Sequence, residues 1–238
     1  MEAPASLDPD AVRDEKVKVL RALRPLSERA DIDANTVRGQ YRTGALGTGP
    51  VPGYLEEEGC NPESSTETFV AIRAEINNWR WSGVPFYLRT GKRMPSRYSE
   101  ISVQFRDVPH NLFAGENTDV QANRLIIRLQ PQEGIQLQMM YKVRGLDGMQ
   151  LRKAELNLST EDLRPPRNAY ERLLLDAVRG NQTLFVRRDE VEVAWKWVDQ
   201  IMQGWETDPE GPKPYNAGTY GPTAAIALTE KHGHSWNE

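Results

Sequence analysis

The sequence predicts an α+β fold, a large and mostly antiparallel β-sheet with helices packed on one of its faces. Three observations carry that expectation. The chain opens with apolar residues at helical spacing, changes to an alternating period of two from Thr66, and returns to helical spacing from Asn168. Strands that succeed one another without intervening helices argue against a doubly wound parallel sheet. Their alternation marks sheets with one buried and one wetter face, as in antiparallel pairing.

The first helix is expected over Asp8–Leu23. Asp8 stands where a side chain can cap open N–H groups, and Pro9 fills the first helical position, where a missing donor costs nothing. Val12, Val19, Leu20 and Leu23 share a face, and Pro25 stops the helix. Asn35–Tyr41 has extended character. The following GALGTGPVPG reads as plain connection, because its glycines lack dinucleotide-binding spacing and no buried-strand pattern precedes them. From Thr66, Val70, Ile72, Ala74 and Ile76 alternate with Phe69, Ala71, Arg73 and Glu75. Further strands are expected at Val84–Arg89, Ile101–Phe105, Leu125–Leu129, Ile135–Met139 and Ala154–Leu158. Asn168–Arg179 is the next helix, with Gly180 as a left-handed C-cap. Asp189–Trp205 follows the i, i+3, i+4, i+7 rule through Val191, Ala194, Trp195, Val198, Ile201, Met202 and Trp205, with acidic residues in its first turn. A last helix runs from Pro222 to about Lys231. Residues 1–238 are read as one domain without internal repeats.

Composition bounds the function. The 238 residues are 38% hydrophobic and 27% charged, with a formal net charge of −4, so a basic nucleic-acid footprint is not expected. No apolar run approaches the ~18 residues that a membrane helix needs. MEAPASLDPD lacks the basic and apolar regions of a secretory signal, and the single cysteine, Cys60, fits a reducing compartment. A soluble cytoplasmic protein is the expectation.

Chemistry concentrates in FYLRTGKRMPSR, where Arg89, Lys92, Arg93 and Arg97 fall within nine positions around a turn shaped by Gly91 and Pro95. A lysine point charge beside planar arginine forks suits a phosphate dianion. The same residues also fit a solvated basic turn at a strand end, and composition leaves both open. Arg128 and Gln130 lie two apart on one strand and so share a face, fit either for sugar hydroxyls or for a wet sheet surface. His110, His232 and His234 form no nucleophile–base arrangement, and His232 with His234 is too little for a metal site, so no metal is expected. The three glutamates before Cys60 disfavour a reactive thiolate. The six tryptophans lack the basic interleaving of a nucleic-acid platform, so they are read as core or subunit-contact residues.

Longer blocks are more specific than any of these. VRDEKVKVLRAL (Val12–Leu23), VRGQY (Val37–Tyr41), VPGYLEEEG (Val51–Gly59), NWRWSGVPFYLRTGKRMP (Asn78–Pro95), AYERLLLDAVRG (Ala169–Gly180), FVRRDEVEVAWKW (Phe185–Trp197) and KPYNAGTYGP (Lys213–Pro222) run through nearly the whole chain. In this order they resemble the C-terminal domain of the glucose-6-phosphate dehydrogenases, the bacterial members most of all. The resemblance implies an NADP-linked oxidation of glucose 6-phosphate at C1 to the lactone, at the entrance to the oxidative pentose phosphate pathway. It assigns substrate contacts to Lys92, to Arg97 five positions on, and to Gln130 of the RLQP stretch; Arg89 and Arg93 rest on charge alone. It also implies a homodimer or homotetramer built through the sheet.

Two departures from the family pattern set further expectations. The chain has no glycine-rich strand-to-helix turn, so NADP is expected on an N-terminal Rossmann domain that this sequence does not contain. None of His110, His232 and His234 falls in the family's block bearing the general base. The isolated chain is therefore expected to be inactive, since hydride transfer needs both the nicotinamide and a base within reach of the C1 hydroxyl. Second, Gln136 and Gln138 stand where some animal members place Tyr and Lys for a structural NADP, and Tyr98 and Ser102 replace basic positions, so no second NADP is expected here. A non-catalytic sugar-phosphate-binding or interaction module derived from the same domain is the competing expectation.

Overall fold

The computed structural model describes residues 1–47, 49–108, 110, 120–143, 150–159 and 169–237. They cluster into two compact units where the sequence reads as one domain. The first draws on residues 1–95 and 166–236, the second on 96–165 with Asn237.

In the first unit, helices α1 (Pro9–Arg21) and α2 (Arg29–Asn35) lead into β1 (Thr36–Arg42). A two-stranded ribbon of β2 (Gly44–Leu46) and β3 (Gly49–Val51) and a 3-10 turn, Tyr54–Glu56, precede β4 (Phe69–Glu75) and β5 (Pro85–Gly91). Helices α3 (Ala169–Val178) and α4 (Arg188–Glu206), strand β10 (Lys213–Asn216) and helix α5 (Thr223–Glu230) complete it. The sheet order is β10-β1-β4-β5, with β10 parallel to β1 and the other pairs antiparallel. The second unit holds β6 (Ser99–Gln104), β7 (Arg124–Gln130), β8 (Gly134–Val143) and β9 (Gln150–Ser159) as an antiparallel meander. Among the described residues no helix is long and apolar enough to cross a membrane.

The α+β class and the mostly antiparallel pairing stand, but the placement of the helices differs from expectation. They flank both faces of the first sheet. Strand β4 explains this, because FVAIRA is apolar at both parities. Phe69 and Ala71 pack with Tyr41, Tyr215, Ala217, Ala225 and Leu228, which brings in α5. On the other face Ile72 packs with Leu26, Ile32, Ile201 and Trp205, which brings in α2 and α4. A strand covered on both sides reads as a continuous apolar run.

Smaller differences have local causes. The Asp8 carboxylate makes no cap bond to α1; it accepts instead from the Ser6 hydroxyl at 2.7 Å. Helix α1 stops at Arg21, and Leu23 forms a β-bridge with Ile76. The GALGTGPVPG segment pairs as the β2–β3 ribbon. Strand β10 has four residues and its signal is weakened by Pro214 within it and Pro212 just before it, and α2 has seven residues, too short for a clear period. Asn168, the expected start of the third helix, lies outside the described residues. Gly180 does cap that helix, at φ +69°.

Candidate functional site

Strand β5 delivers the basic turn. At its end Gly91 pairs with Phe69, and a Cβ on Gly91 would stand 2.8 Å from the Phe69 ring and 3.0 Å from Met94 Sδ. Only glycine lets the strand end this close to the core. The next residue, Lys92, is fixed through its main chain. Its N–H donates to the Thr68 carbonyl at 2.8 Å, and its carbonyl accepts the Tyr215 hydroxyl at 2.8 Å. Tyr215 is itself buried, and its hydroxyl also lies 3.1 Å from Thr68 Oγ1. Burial raises the Tyr215 pKa above the ordinary phenol range, so it remains a donor at neutral pH. The Lys92 side chain is exposed, and among the described residues no carboxylate pairs with it.

Arg93 is held differently. Its φ is +53°, the one left-handed non-glycine backbone among the described residues. Its guanidinium donates to Glu57 Oε1 at 2.7 Å, the Tyr41 hydroxyl donates to the same oxygen at 2.9 Å, and the Gly218 N–H donates to the Arg93 carbonyl at 2.7 Å. The Arg93 bond, then the Tyr41 bond, hold the Glu57 carboxyl below the usual carboxylate range. Arg89 is committed to aromatic packing, its guanidinium 4.6 Å from the Trp236 ring centroid and 5.3 Å from that of Tyr220. The four cations of the turn therefore divide into two roles. Arg89 and Arg93 brace the scaffold, whereas Lys92 of the first unit and Arg97 of the second are exposed, with no carboxylate partner among the described residues.

In the second unit Gln130 closes β7 opposite Ser99, beside a register shift between Ser99 and Glu100, and its side chain is exposed. Arg128, on the same face, lies 3.5 Å from Glu100 Oε2 and stacks 5.8 Å from the Tyr98 ring centroid. Asn237 donates to the other Glu100 oxygen at 2.6 Å. Gln136 and Gln138 form a lateral amide ladder on this face. Gln138 donates to Gln136 at 3.1 Å, and Gln136 donates to Asn157 at 2.9 Å and Glu155 at 3.1 Å.

Dinucleotides bind at a helix N-terminus after a glycine-rich strand turn in a βαβ unit. Among the described residues the parallel pair is β1 with β10, and no single crossover helix links them. These residues do not fit NADP in that mode. His234 packs edge-on to Tyr87, 5.6 Å between centroids, while burial and then the Arg73 charge lower the His232 pKa.

Sequence reasoning missed Glu57, Tyr41 and Tyr215 as braces. Only the shared parity of Val37, Gly39 and Tyr41 on β1 hinted that Tyr41 turns inward. Nothing local links Glu57 or Tyr215 to a turn tens of residues away.

The model of the glucose-6-phosphate dehydrogenase C-terminal domain matches residues 1–237. The chain belongs to that family. It is 56% identical over 241 residues to a glucose-6-phosphate 1-dehydrogenase of Rhizobium meliloti, covering all of this chain and 48% of that protein. A relative of the same name from Dickeya dadantii is 55% identical over 242 residues, with 49% of its length covered. The chain thus spans about half the length of the curated relatives it matches. Among solved structures, a glucose-6-phosphate dehydrogenase in complex with its substrate glucose 6-phosphate superposes with a TM-score of 0.84 at 37% identity, over all of this chain and 48% of that one. The enzyme from Mycobacterium avium superposes at 0.80 with 33% identity, over 46% of its chain.

Proposed function

We propose that this chain supplies the substrate-binding and subunit-contact part of an enzyme that oxidises glucose 6-phosphate to 6-phosphogluconolactone with NADP, the first step of the oxidative pentose phosphate pathway, in the cytoplasm. The observation that carries the reading is the division of labour in the basic turn. Lys92 has a rigid main chain and an uncommitted ammonium, while its neighbours Arg89 and Arg93 are spent on the scaffold. A fixed cation of this kind suits a phosphate dianion. In this reading Lys92 meets the phosphate, and Arg97 and Gln130 make the substrate contacts that the family resemblance assigns to them. A solved relative bound to glucose 6-phosphate lends support. The cofactor and the general base come from the N-terminal Rossmann domain and the histidine block of the intact enzyme.

The reading extends to assembly. Register places Ile101, Val103, Leu125, Ile127, Leu129, Ile135, Leu137, Leu156 and Leu158 on one face of the second sheet, opposite the face of Gln130. Leu158 is 63% exposed and Leu156 57%. A second copy of the chain covers this face in the proposed oligomer.

The test is an NMR titration of the chain with glucose 6-phosphate. Binding in roughly the millimolar range is expected, because each absent charge-assisted bond removes ~1.5–3 kcal/mol, with amide shifts at Lys92 and Gln130 and no turnover of NADP. Lys92→Ala should abolish the shifts. A wild-type chain unmoved by saturating glucose 6-phosphate, or unchanged binding by the variant, overturns the proposal.

A further inference from the structure

We infer that Glu57 is a positioning residue for the substrate turn: by pairing with Arg93 it holds residue 93 in a left-handed backbone conformation, and so aims the adjacent Lys92. This rests on the reading of Lys92 as a phosphate contact. A non-glycine residue at φ +53° is strained and persists only where its surroundings over-determine it. Here three bonds do so. Glu57 Oε1 takes the Arg93 guanidinium at 2.7 Å, the Tyr41 hydroxyl secures that carboxylate at 2.9 Å, and Gly218 N–H grips the Arg93 carbonyl at 2.7 Å.

The pair is not simply a surface ion pair of little consequence. Tyr41 is buried in the core that also contains Phe69 and Tyr215, so the carboxylate is anchored from the rigid side and the arginine is drawn to it. Lys92 sits between two fixed points, the Tyr215 hydroxyl on its own carbonyl and the left-handed turn that follows. If residue 93 relaxed to an ordinary backbone conformation, the peptide joining it to Lys92 would rotate, and the lysine would leave its present direction. The pairing also cancels the Arg93 charge. Its contribution to phosphate binding is therefore geometric rather than coulombic.

Glycine separates these ideas, because it adopts positive φ without cost and needs no guanidinium to hold it there. The experiment uses the full 238-residue chain and glucose 6-phosphate, followed by NMR, with hydrogen exchange at the Gly218 amide as a report on the Arg93 carbonyl. Glu57→Gln should weaken binding about tenfold and speed Gly218 exchange. Arg93→Gly alone should bind like wild type, and Glu57→Gln with Arg93→Gly should regain wild-type affinity. Arg93→Ala, strained and without the pair, should bind as poorly as Glu57→Gln. Wild-type affinity in Glu57→Gln, failure of glycine to rescue it, or tighter binding from a freed Arg93 each overturns the inference. Lys92→Ala serves as the separate control. If it leaves binding unchanged the phosphate reading fails, whereas loss in Lys92→Ala with an indifferent Glu57→Gln sinks only the role of Glu57.

Discussion

The Tyr215 hydroxyl donates to the main-chain carbonyl of Lys92 at 2.8 Å, so a buried residue on β10 fixes the backbone of an exposed cation 123 positions earlier in the chain. Tyr215→Phe keeps the ring contacts with Phe69 and Tyr41 and removes only the donor. The Lys92 carbonyl then loses its partner. Urea denaturation should show a loss of about 1–2 kcal/mol, and affinity for glucose 6-phosphate should fall with it. An unaltered midpoint and unaltered affinity would show that solvent replaces the hydroxyl without consequence.

Close packing under the same turn makes a second prediction. Gly221 has φ +105°, and a Cβ there would stand 2.2 Å from Phe69 Cε2, inside the first core. Gly180 also has positive φ, +69°, but nothing lies within 4 Å of the added atom. Alanine at each position therefore separates backbone strain from steric conflict. Gly180→Ala should cost ~1–2 kcal/mol and Gly221→Ala ~3 kcal/mol or more, as conflict adds to strain. Equal losses in thermal denaturation would refute the distinction.

The elements that the sequence showed clearly are those whose signal is local. The seven apolar positions of Asp189–Trp205 need no partner to be recognised, and α4 spans Arg188–Glu206. The alternation in ISVQF and RLIIRLQ likewise marks β6 and β7 within a residue or two. What was hidden depends on distant partners. Strand β10 exists because Lys213–Asn216 pairs with Gly39–Arg42, and at the start of the β2–β3 ribbon Gly44 lies so close to Ala217 that a Cβ would meet its carbonyl at 2.2 Å. At the site, the concentration of charge in FYLRTGKRMPSR was legible, but its division was not. Which cation is free depends on Glu57, Tyr220 and Trp236, and the sequence interval to each says nothing about contact.

Acid should destabilise the chain through identifiable carboxylates. Arg93 and Tyr41 depress the pKa of Glu57, and Arg187 chiefly depresses that of Asp189. At Asp208 burial pushes the value up, but bonds from Arg29, the Glu210 N–H and Arg38 outweigh it. A depressed folded pKa gives stability that is present above the ordinary carboxylate range and lost as pH falls through the folded value. Urea midpoints should therefore decline from roughly pH 4 downward. Asp208→Asn should flatten that decline and lower stability at neutral pH by about 3 kcal/mol, because Arg38, 9% exposed, loses its charged partner. The same steep acid decline in the variant would remove Asp208 from the account.

The apolar face of the second sheet predicts a selective effect on assembly. Leu156 sits opposite Leu137, and Leu158 opposite Ile135, all on one side of the β8–β9 ladder, while Asn157 and Glu155 point to the other. Leu156 is exposed in the single chain, so Leu156→Asp costs the folded monomer little. In a two-fold assembly through this face, one substitution places a carboxylate in both halves of the interface. Each then has to be desolvated beside apolar neighbours, at several kcal/mol. Light scattering should find the variant monomeric at concentrations where the wild-type chain associates, with thermal stability per chain unchanged. Asn157→Asp adds the same charge on the opposite face and should leave association intact. Equal dissociation by both variants would point to general charge repulsion, and a wild-type chain monomeric at high micromolar concentration would remove the sheet face as a contact between copies.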